Sequence, residues 1–476
     1  MHTKKSTMKV EQIYTGCLAQ GAYYIQSGGE AAIIDPLRET GPYLERARKD
    51  NVQIKYIFET HFHADFVSGH LDLARATGAP IIYGPQATPA FDAHIAADGE
   101  TFRIGNVTIK VLHTPGHTLE SSCFLLLDEN GEPHSLFTGD TLFLGDVGRP
   151  DLAQKAASLT QEELAGMLYD SIYTKILPLP DDLVIYPGHG AGSACGKNMM
   201  KETVDTLGHQ KTFNYALMQP SREAFVEAVT DGLSEPPAYF PQNVLMNKEG
   251  YDSLAEVKER ALQALEPAAF RSVAGAADAL VLDTRSADAF AAGHIPGSIS
   301  IGVDGQFAPW VGALIGDVNQ AILLVAEPGR EEEVITRLSR VGFDNVLGYL
   351  AGGFDAWKQA GMETDTVNRI SAAQFAEELP QNPGYTVLDV RKPSEFALGH
   401  YSKAASFPLD DINTWFGTQP KEHMYIHCAG GYRSMIAASI LKARGIHDFK
   451  EVAGGWGAIS KTGIPVATGL PAGQNA

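Results

Sequence analysis

The amino-acid sequence predicts a multidomain protein of the α/β class, and three observations support this prediction. Its 476 residues are enough for about three domains of ordinary size. In the first half, short apolar runs of strand length alternate with segments in which apolar residues recur every three or four positions. In the second half, Val281-Leu282-Asp283-Thr284-Arg285 is matched 106 residues later by Val387-Leu388-Asp389-Val390-Arg391, which indicates two similar domains.

The elements of the first half are predicted from these patterns, in chain order. The predicted strands are Ala31–Asp35, Ile54–Glu59, Val107–Leu112, Cys123–Leu127, Leu136–Thr138 and Leu183–Tyr186. The predicted helices are Tyr43–Lys49, Leu71–Thr77 and Gln161–Ile176. From residue 197 to 265, helical patterns are interrupted by Ser234-Glu235-Pro236-Pro237 and Phe240-Pro241, so we interpret this stretch as the tail of the first domain plus a connector.

The second half contains the repeat, and its two copies end in related elements. Ala351-Gly352-Gly353-Phe354 is matched 102 residues later by Ala453-Gly454-Gly455-Trp456, so the copies differ by a short deletion. Together these spacings predict domains at residues 1–265, 266–367 and 368–476.

Composition excludes several classes of protein. The net charge is −20 and 44% of the residues are hydrophobic, which is too apolar for disorder. Because a surface this acidic repels phosphate backbones and anionic lipid, we expect no nucleic-acid and no membrane partner. No apolar run approaches a membrane span, and Met1–Lys5 is not followed by the apolar stretch of a signal peptide. Four scattered cysteines make no disulfide framework, so we expect a cytoplasmic protein.

Metal-binding residue types follow four of the predicted strands. Thr60-His61-Phe62-His63-Ala64-Asp65 follows the strand that ends at Glu59, and the other three groups follow later strands: Thr114-Pro115-Gly116-His117, Thr138-Gly139-Asp140-Thr141 and Tyr186-Pro187-Gly188-His189. Open α/β sheets bind ligands beyond the carboxyl ends of their strands. Four such groups at four strand ends therefore predict a metal site.

These groups resemble the metallo-β-lactamase superfamily, whose pattern is Thr-His-x-His-x-Asp-His with the downstream His and Asp positions. The resemblance covers about half of the chain and implies an αββα sandwich. The sequence departs from the pattern at Phe66, where dinuclear zinc hydrolases of this fold carry a histidine. A phenylalanine has no lone pair to donate, so a second metal site loses a ligand. Glyoxalase II and the lactamases are therefore disfavoured.

Within the superfamily, the sequence is most similar to the persulfide dioxygenases. Some members of that branch keep a histidine at this position. Phe66 is therefore evidence against the dinuclear zinc hydrolases rather than evidence for the persulfide dioxygenases. The resemblance implies one Fe(II) per chain, held by His61, His117 and Asp140, and two imidazoles with one carboxylate suit a non-haem iron site with open positions. It also implies that three further residues orient the ligands: His63, Asp65 and His189. The alternative is that these three residues only form structural hydrogen bonds.

Two further residues near these groups are candidates for substrate binding. Arg149, in Gly148-Arg149-Pro150-Asp151, suits a carboxylate or phosphate of an anionic thiol carrier, or else forms a salt bridge that positions its loop. Cys195 follows His189 closely and either meets a persulfide or is a small buried residue. We interpret Cys17 and Cys123 as structural.

In the last repeat, the predicted strand Met424–His427 leads into Cys428-Ala429-Gly430-Gly431-Tyr432-Arg433-Ser434, and a helix is predicted from Met435 to Arg444. A cysteine in such a loop is surrounded by backbone N–H groups and the positive end of the helix, which favours an anionic sulfur. The loop resembles the Cys-x-x-x-x-Arg active loop of rhodaneses, which have a doubly wound parallel sheet. The resemblance implies that Cys428 and Arg433 are catalytic, and we expect Gly430 and Gly431 to bind substrate.

The first repeat lacks these residues. A shift of 102 residues places Ala326 at the position of the cysteine, and Glu331 at the position of the arginine, although Asp283-Thr284-Arg285 and His294 are retained. A methyl group cannot carry sulfur and an acid repels an anionic donor. We therefore expect this copy to be catalytically silent.

The resemblances together imply a persulfide dioxygenase–rhodanese fusion for sulfide or persulfide detoxification. Its expected small-molecule partners are a low-molecular-weight persulfide, O2, and sulfite or thiosulfate, and we expect a homo-oligomer, either a dimer or a tetramer. The thiol carrier stays open among glutathione, coenzyme A, bacillithiol and inorganic polysulfide. Two other functions stay open as well: a zinc thioester hydrolase of the glyoxalase II type, and a persulfide sensor or carrier with a vestigial metal site.

Overall fold

The computed structural model describes residues 8–154, 158–233 and 235–470. The chain divides into two compact units, which are Met1–Glu256 with Ser339–Gly342, and Val257–Leu338 with Phe343–Ala476. The predictions about Met1–Lys5 and about Ser234 lie outside the described residues. Among the helices of the described ranges, none has the length and apolar character needed to cross a membrane.

In the described part of the first unit, two six-stranded sheets are formed. The first has its strands in sequence order: β1 Lys9–Thr15, β2 Gln20–Ser27, β3 Glu30–Ile34, β4 Gln53–Phe58, β5 Ile81–Tyr83 and β6 His94–Ile95. The second has the order β12-β11-β10-β9-β8-β7: β7 Thr101–Ile104, β8 Val107–His113, β9 Ser122–Leu127, β10 Pro133–Gly139, β11 Val184–Pro187 and β12 Asp205–Thr206.

Helices lie between and after these strands. They are α1 Gly41–Asp50, α2 His70–Thr77, α3 Gln161–Ser171, α4 Leu207–Phe213, α5 Arg222–Thr230, α6 Phe240–Glu249 and α7 Leu254–Ala261. The predicted helix Gln161–Ile176 is α-helical only to Ser171, after which Ile172–Ile176 forms a π-helical turn. Pro241, interpreted from sequence as a break, instead lies in the first turn of α6, where the missing N–H of proline costs no hydrogen bond.

The alternation of side chains along the strands produces four layers. Tyr23 and Ile25 of β2 face the second sheet and pack in one core with Phe124 and Phe137. Their neighbour Tyr24 points to the opposite face, towards α1 and α2. The outer face of the second sheet is covered by α3 and α5. The first unit is therefore an αββα sandwich, as predicted.

Sequence reasoning missed several strands of the sandwich, β1, β2 and β7 among them. β2 is buried along almost its whole length, and only one of its residues is partly exposed. Its Gln20-Gly21-Ala22 start carries little β-branched or aromatic character, although Tyr23-Tyr24-Ile25 favours a strand, so the full length of β2 is set by pairing with β1 and β3.

The second unit contains two parallel sheets of five strands among its described residues. The first, in the order β13-β17-β16-β14-β15, consists of β13 Ala264–Leu265, β14 Leu280–Asp283, β15 Ile299–Ser300, β16 Ile322–Val325 and β17 Val346–Leu350. The second, in the order β18-β23-β22-β19-β21, consists of β18 Arg369–Ser371, β19 Thr386–Asp389, β21 Ala404–Ser406, β22 Met424–His427 and β23 Phe449–Ala453. A short antiparallel pair is formed by β20 His400–Tyr401 and β24 Val466–Ala467.

The helices of the second unit connect these strands. They are α8 Pro267–Ala276, α9 Ala287–Ala292, α10 Phe307–Ile315, α11 Glu331–Ser339, α12 Gly353–Gln359, α13 Ala372–Glu378, α14 Pro393–Leu398, α15 Ile412–Trp415, α16 Tyr432–Ala443 and α17 Gly455–Ile459. The predicted helix Met435–Arg444 begins three residues earlier than expected, directly after the cysteine loop. Strands alternating with helices in two sheets of the same order are the doubly wound architecture that the repeat predicts.

The two copies of the repeat share a buried ion pair. In the first copy, Arg285 Nη2 donates to Asp283 Oδ2 at 2.6 Å and to the Gly293 carbonyl at 2.8 Å. In the second, Arg391 makes the same two bonds, to Asp389 Oδ2 at 2.6 Å and to the backbone carbonyl eight residues on at 2.8 Å. Because the pair is present in the copy without a cysteine, it belongs to the fold rather than to the chemistry.

Candidate functional site

The strand ends of the first unit bring together the three predicted metal ligands. His61 follows β4, His117 follows β8, and Asp140 follows β10. Asp140 Oδ2 lies 3.5 Å from His117 Nε2 and 3.9 Å from His61 Nε2, and all three side chains are buried. One donor atom from each lies within 4.8 Å of the others, so one ion can be bound by all three.

Hydrogen bonds at the opposite ring nitrogens orient both imidazoles. His117 Nδ1 lies 2.9 Å from the Arg149 carbonyl, which can only accept, so Nδ1 carries the proton and Nε2 presents a lone pair. His61 Nδ1 lies 2.9 Å from Thr60 Oγ1, whose own proton is donated to Asp35 Oδ2 at 2.9 Å. That chain of hydrogen bonds makes His61 Nδ1 the donor and leaves its Nε2 free to bind a metal.

The donor set fits a divalent metal ion. Both carboxylate oxygens of Asp140 are buried without a hydrogen-bond partner among the described residues. Burial, together with the neighbouring imidazoles, holds the pKa of His61 well below its usual value, so this ring is in the neutral form that binds metals. Two neutral imidazoles and one carboxylate without other partners are incomplete without a cation.

The second predicted group, His63, Asp65 and His189, lies beside the first. His189 Nε2 is 3.3 Å from Asp65 Oδ2 and 3.6 Å from Asp140 Oδ1, and donor atoms of the three residues lie within 4.8 Å of one another. Phe66 is fully buried next to them, with its ring centroid 4.3 Å from that of His63 and 6.4 Å from that of His189. An apolar ring thus lies against the group at the point where a further nitrogen ligand would bind.

His63 is held by two buried carboxylates. Its Nε2 is 3.2 Å from Asp35 Oδ1 and 3.4 Å from Glu59 Oε2. Burial lowers the pKa of His63, but the two carboxylates outweigh burial and raise it well above the usual value. Burial raises the pKa of Glu59 to about 7 despite its hydrogen bonds from His63 and Ser68. His63 is therefore a charged ring that joins the β3 and β4 ends, as well as a neighbour of the metal ligands.

Asp35, Glu59 and Thr60 were not predicted as site residues. The sequence does contain a signal for the two acids, because each stands at the end of a predicted strand that is otherwise apolar. The backbone of Asp35 has φ +49°, an uncommon value for a non-glycine residue. In that conformation its carboxylate also accepts the Thr60 N–H at 2.8 Å.

Arg149 and Cys195 both lie near the ligands. Arg149 is buried and forms a two-point ion pair with Asp151, with both N–O distances at 2.7 Å, while its Nη1 donates to the Ala194 carbonyl at 3.2 Å. These contacts correspond to the salt-bridge interpretation of this arginine. Cys195 is buried, and its sulfur lies within 4.8 Å of donor atoms of Asp140 and His189.

Helix α6, in the stretch interpreted as tail and connector, holds the loop that carries His63. Asn247 Nδ2 donates to the His63 and Phe66 carbonyls, each at 2.8 Å, and Asn247 Oδ1 accepts the Ser68 N–H at 2.9 Å. One amide side chain therefore satisfies three backbone groups of the loop. This stretch is part of the site's framework.

In the second unit, Cys428 lies between β22 and the start of α16. Its Sγ accepts the Gly431 N–H at 3.0 Å and lies 3.5 Å from the Ser434 hydroxyl. Gly431 has φ +103°, which only glycine adopts without strain, and this conformation turns its N–H towards the sulfur. Of the two glycines predicted to bind substrate, Gly431 is thus the one whose N–H contacts the sulfur. The cysteine is 1% exposed.

Arg433 lies in the first turn of α16, and Glu395 on α14 binds it. Its two terminal nitrogens lie 2.6 and 2.7 Å from the Glu395 carboxylate oxygens. The hydrogen bonds from Arg433 hold the pKa of Glu395 below its usual value. No sequence signal marked Glu395, because it is one of many acids on a helix surface.

Comparisons with known proteins agree with this architecture. Residues 15–189 match the model of the metallo-beta-lactamase superfamily, and residues 266–360 and 371–462 each match the rhodanese-like domain. A solved metallo-beta-lactamase from Staphylococcus aureus subsp. aureus COL has a TM-score of 0.64 and 32% identity, covering 73% of this chain and 99% of that one.

Two kinds of curated relative match the first unit. Persulfide dioxygenase ETHE1 of Homo sapiens is 33% identical over 201 residues, which is 42% of this chain and 70% of that protein. A probable hydroxyacylglutathione hydrolase of Schizosaccharomyces pombe is 37% identical over 163 residues, 34% of this chain. The match spans 59% of the length of that hydrolase, and 60% of the length of a hydroxyacylglutathione hydrolase from Tolumonas auensis.

The sandwich and its cluster of histidines and aspartates define a metal-binding enzyme fold, and the two parallel sheets define rhodanese-like domains. The chain belongs to the metallo-β-lactamase superfamily, as a member in which the metal-binding domain is fused to two rhodanese-like domains.

Proposed function

We propose that the protein is a persulfide dioxygenase coupled to a sulfurtransferase. The observation that carries the proposal is the set of His61, His117 and Asp140 beside Phe66, in one chain with Cys428 in a rhodanese loop. The relative from Homo sapiens, a persulfide dioxygenase, supports it. We propose the domain boundaries 1–265, 266–367 and 368–476 for the metal-binding, silent and active domains.

In the first domain, the proposed reaction is R–S–SH + O2 + H2O → R–SH + SO3²⁻ + 2 H⁺. One Fe(II) bound by His61, His117 and Asp140 would supply the redox chemistry that lets O2 react with the persulfide sulfur. The residues of the chain orient these ligands: Thr60 and the Arg149 carbonyl hold the two imidazoles. Phe66 places an apolar ring against His63 on one side of the site.

In the third domain, Cys428 carries the transferred sulfur. The proposed step is Cys428–S–S⁻ + SO3²⁻ → Cys428–S⁻ + S2O3²⁻, in which sulfite attacks the outer sulfur and the S–S bond breaks towards the cysteine. The Gly431 N–H, at 3.0 Å from the sulfur, stabilises the anionic forms. Because the first reaction makes the sulfite that the second consumes, the two sites share a substrate class.

A thioester hydrolase is the second candidate, and the relatives with hydroxyacylglutathione hydrolase names favour it. In that case two zinc ions would use His63, Asp65 and His189 as well. Phe66 and the ion pairs of His63 with Asp35 and Glu59 weigh against it.

The metal content of the purified protein, measured with O2 consumption on glutathione persulfide, separates the two candidates. About one iron per chain with rapid O2 uptake is expected for the dioxygenase. Two zinc ions per chain, no O2 uptake and hydrolysis of a glutathione thioester would contradict the proposal. A folded protein without metal and without either activity would instead indicate a sensor or carrier.

A further inference from the structure

The sulfur of Cys428 is connected to a buried carboxyl group through one hydroxyl. Ser434 Oγ lies 3.5 Å from Cys428 Sγ and 2.5 Å from Glu451 Oε1. All three side chains are buried, and Glu451, on β23, has no exposed surface. Cysteine, serine and glutamate thus form a continuous chain inside the domain.

A serine hydroxyl has one proton, so Ser434 cannot donate to both neighbours at once. Two arrangements satisfy both contacts. In the first, the Cys428 thiol donates to Ser434, and Ser434 donates to an ionised Glu451. In the second, a protonated Glu451 donates to Ser434, and Ser434 donates to the Cys428 thiolate. The two arrangements differ by the shift of two protons along the chain and have the same net charge.

The surroundings make both arrangements attainable. When the negative charge is on Glu451, Arg369 on the adjacent strand β18 compensates it, with Nε 2.6 Å from Oε2. When the charge is on Cys428, the Gly431 N–H compensates it. One buried negative charge is present in either case, so the shift moves the charge without adding to the desolvation cost.

Arg369 is shared with a second acid. Its guanidinium also binds Asp288 on α9 of the silent domain. Burial raises the pKa of Glu451 above its usual value, against the hydrogen bond from Ser434 and the charge of Arg369. The charged groups that act on Glu451 are therefore Arg369 and Asp288, and Cys428 is the titratable group at the other end of the chain.

The silent repeat provides an internal comparison. Arg369 pairs with Glu451 on the neighbouring strand, and Ala264 pairs with Tyr349 in the same way in the first copy. Ala264 therefore corresponds to Arg369, and Tyr349 corresponds to Glu451. The spacing matches Ser434 to Glu332 and Cys428 to Ala326. All members of the chain are thus absent together, whereas the Asp–Arg pair and the histidine that hold the fold are present in both copies. The fold does not need the buried Glu451.

We propose that Glu451 is the proton acceptor of Cys428, acting through the Ser434 hydroxyl. This inference rests on the proposed sulfur-transfer function. The S–H bond of Cys428 breaks as its proton passes to Ser434 Oγ, and the former Ser434 proton passes to Glu451 Oε1. The products are a thiolate ready to accept sulfur and a neutral Glu451. When a sulfur acceptor releases the thiolate again, the same path can return the proton.

The test is the rate of Cys428 alkylation by iodoacetamide as a function of pH, followed by mass spectrometry of the Cys428 peptide. In the wild type we expect a pH-independent region near neutral and mildly acidic pH, because thiol–carboxylate and thiolate–carboxylic acid contain the same number of protons. In Glu451→Gln this region should disappear, and the rate should fall about tenfold per pH unit below the thiol titration. Ser434→Ala leaves the Arg369–Glu451 ion pair intact and should lower the rate in that region about tenfold.

Glu378→Gln is the control, because Glu378 binds Lys450, the neighbour of Glu451, and the Tyr425 hydroxyl. It should keep the pH-independent region. A wild-type rate that follows a single thiol titration would overturn the proposal, as would an unchanged profile in both variants. If Glu451→Gln does not fold, Ser434→Ala decides. Alkylation reports only the ionisation of Cys428. If the wild type showed the expected pH profile of alkylation but formed no thiosulfate, the proposed sulfur-transfer function would be wrong and the proton transfer to Glu451 would stand.

Discussion

We expect single side chains to limit how many metal ions this sandwich can hold. Phe66 lies against His63 and His189, the residues that a second ion would use. His63 itself is bound by Asp35 and Glu59. We therefore expect Phe66 and this pair of carboxylates to favour a single ion at this site.

Replacing the phenylalanine tests this directly. Phe66→His supplies a nitrogen donor beside Asp65 and His189, so the bound metal should rise from about one to about two ions per chain when zinc is offered. Metal analysis after gel filtration measures it. Phe66→Leu is the control that removes the ring without adding a donor, and it should stay near one ion. An unchanged content in Phe66→His would mean that the carboxylates around His63, rather than the ring, prevent a second site.

Asp140 is the carboxylate of the proposed iron site. Asp140→Ala removes both of its oxygens, which have no other hydrogen-bond partner among the described residues, so iron and O2 uptake should be lost together. Metal analysis and an oxygen electrode measure the two losses. Asp128→Ala, at an acid in an exposed turn, should change neither. An iron-replete and active Asp140→Ala protein would refute the ligand assignment.

Cys428 is the proposed carrier of sulfur in the third domain. Cys428→Ser should abolish enzymatic thiosulfate formation, because a hydroxyl cannot hold a sulfane sulfur, while O2 uptake with persulfide continues. Both rates are measured on the same preparation. The matched control is Cys123→Ser, at a buried cysteine that bonds Thr114 and whose pKa burial raises to about 11. Thiosulfate formation at the wild-type rate in Cys428→Ser would show that another residue is the nucleophile.

At the scale of elements, the junction of β22 and α16 places the sulfur. The strand ends at His427, the helix begins at Tyr432, and the short loop between them must turn the Gly431 N–H inward. The positive φ of Gly431 makes this turn possible. The loop geometry, more than the helix that follows, therefore determines the environment of the cysteine.

Two adjacent glycines give a matched test of this junction. In Gly431→Ala, the added Cβ would lie 2.9 Å from Arg369 Nη2 in a left-handed conformation, which costs about 1–3 kcal/mol. Sulfur transfer and the thermal midpoint should both fall. Gly430→Ala should leave both nearly unchanged, since its Cβ would meet no atom within 4 Å. Equal effects of the two substitutions would contradict this account of the loop.

At the scale of the whole molecule, the first rhodanese-like copy has the same strand order as the second, and we expect it to lack the chemistry. The silent copy retains the buried Asp283–Arg285 pair, whereas α11 begins with three acids, Glu331, Glu332 and Glu333. Lys258 binds Glu332, and Arg330 and Arg337 bind Glu333. Glu331, at the position that Arg433 has in the other copy, is therefore the acid expected to repel the anionic donors and acceptors of sulfur transfer. The loss of the cysteine is therefore only one of several changes.

Restoring the cysteine alone should not restore activity. Ala326→Cys in a Cys428→Ser background is expected to form no thiosulfate, because the acidic first turn of α11 and the missing counterparts of Ser434 and Glu451 remain. Thiosulfate formation and labelling of the introduced thiol by a persulfide donor measure the result, with the Cys428→Ser parent as control. Recovery of the wild-type rate would show that the first copy lacks nothing but its sulfur.

The sequence by itself determined the class of fold, the fusion of a metallo-β-lactamase domain to rhodanese-like domains, and the internal repeat. Such features are readable because they are local: His-x-His and Pro-Gly-His stand at strand ends, and Ala326 stands where its copy has Cys428. The strands β1 and β2 escaped prediction although residues such as Ile13 and Tyr23 favour strands, because polar residues interrupt their apolar pattern and their full length is set by pairing.

Only the tertiary structure decided which partners these residues have. Asp35 and Glu59 come from different strand ends to hold His63, and Glu395 binds Arg433. Glu451 reaches Ser434 from a separate strand. Hydrogen bonds and ion pairs between residues distant in sequence depend on how sheets and helices bring their ends together. Residue types and spacing do not give the distances between side chains. The ion pairs and hydrogen bonds of both sites could therefore be assigned only from the folded chain.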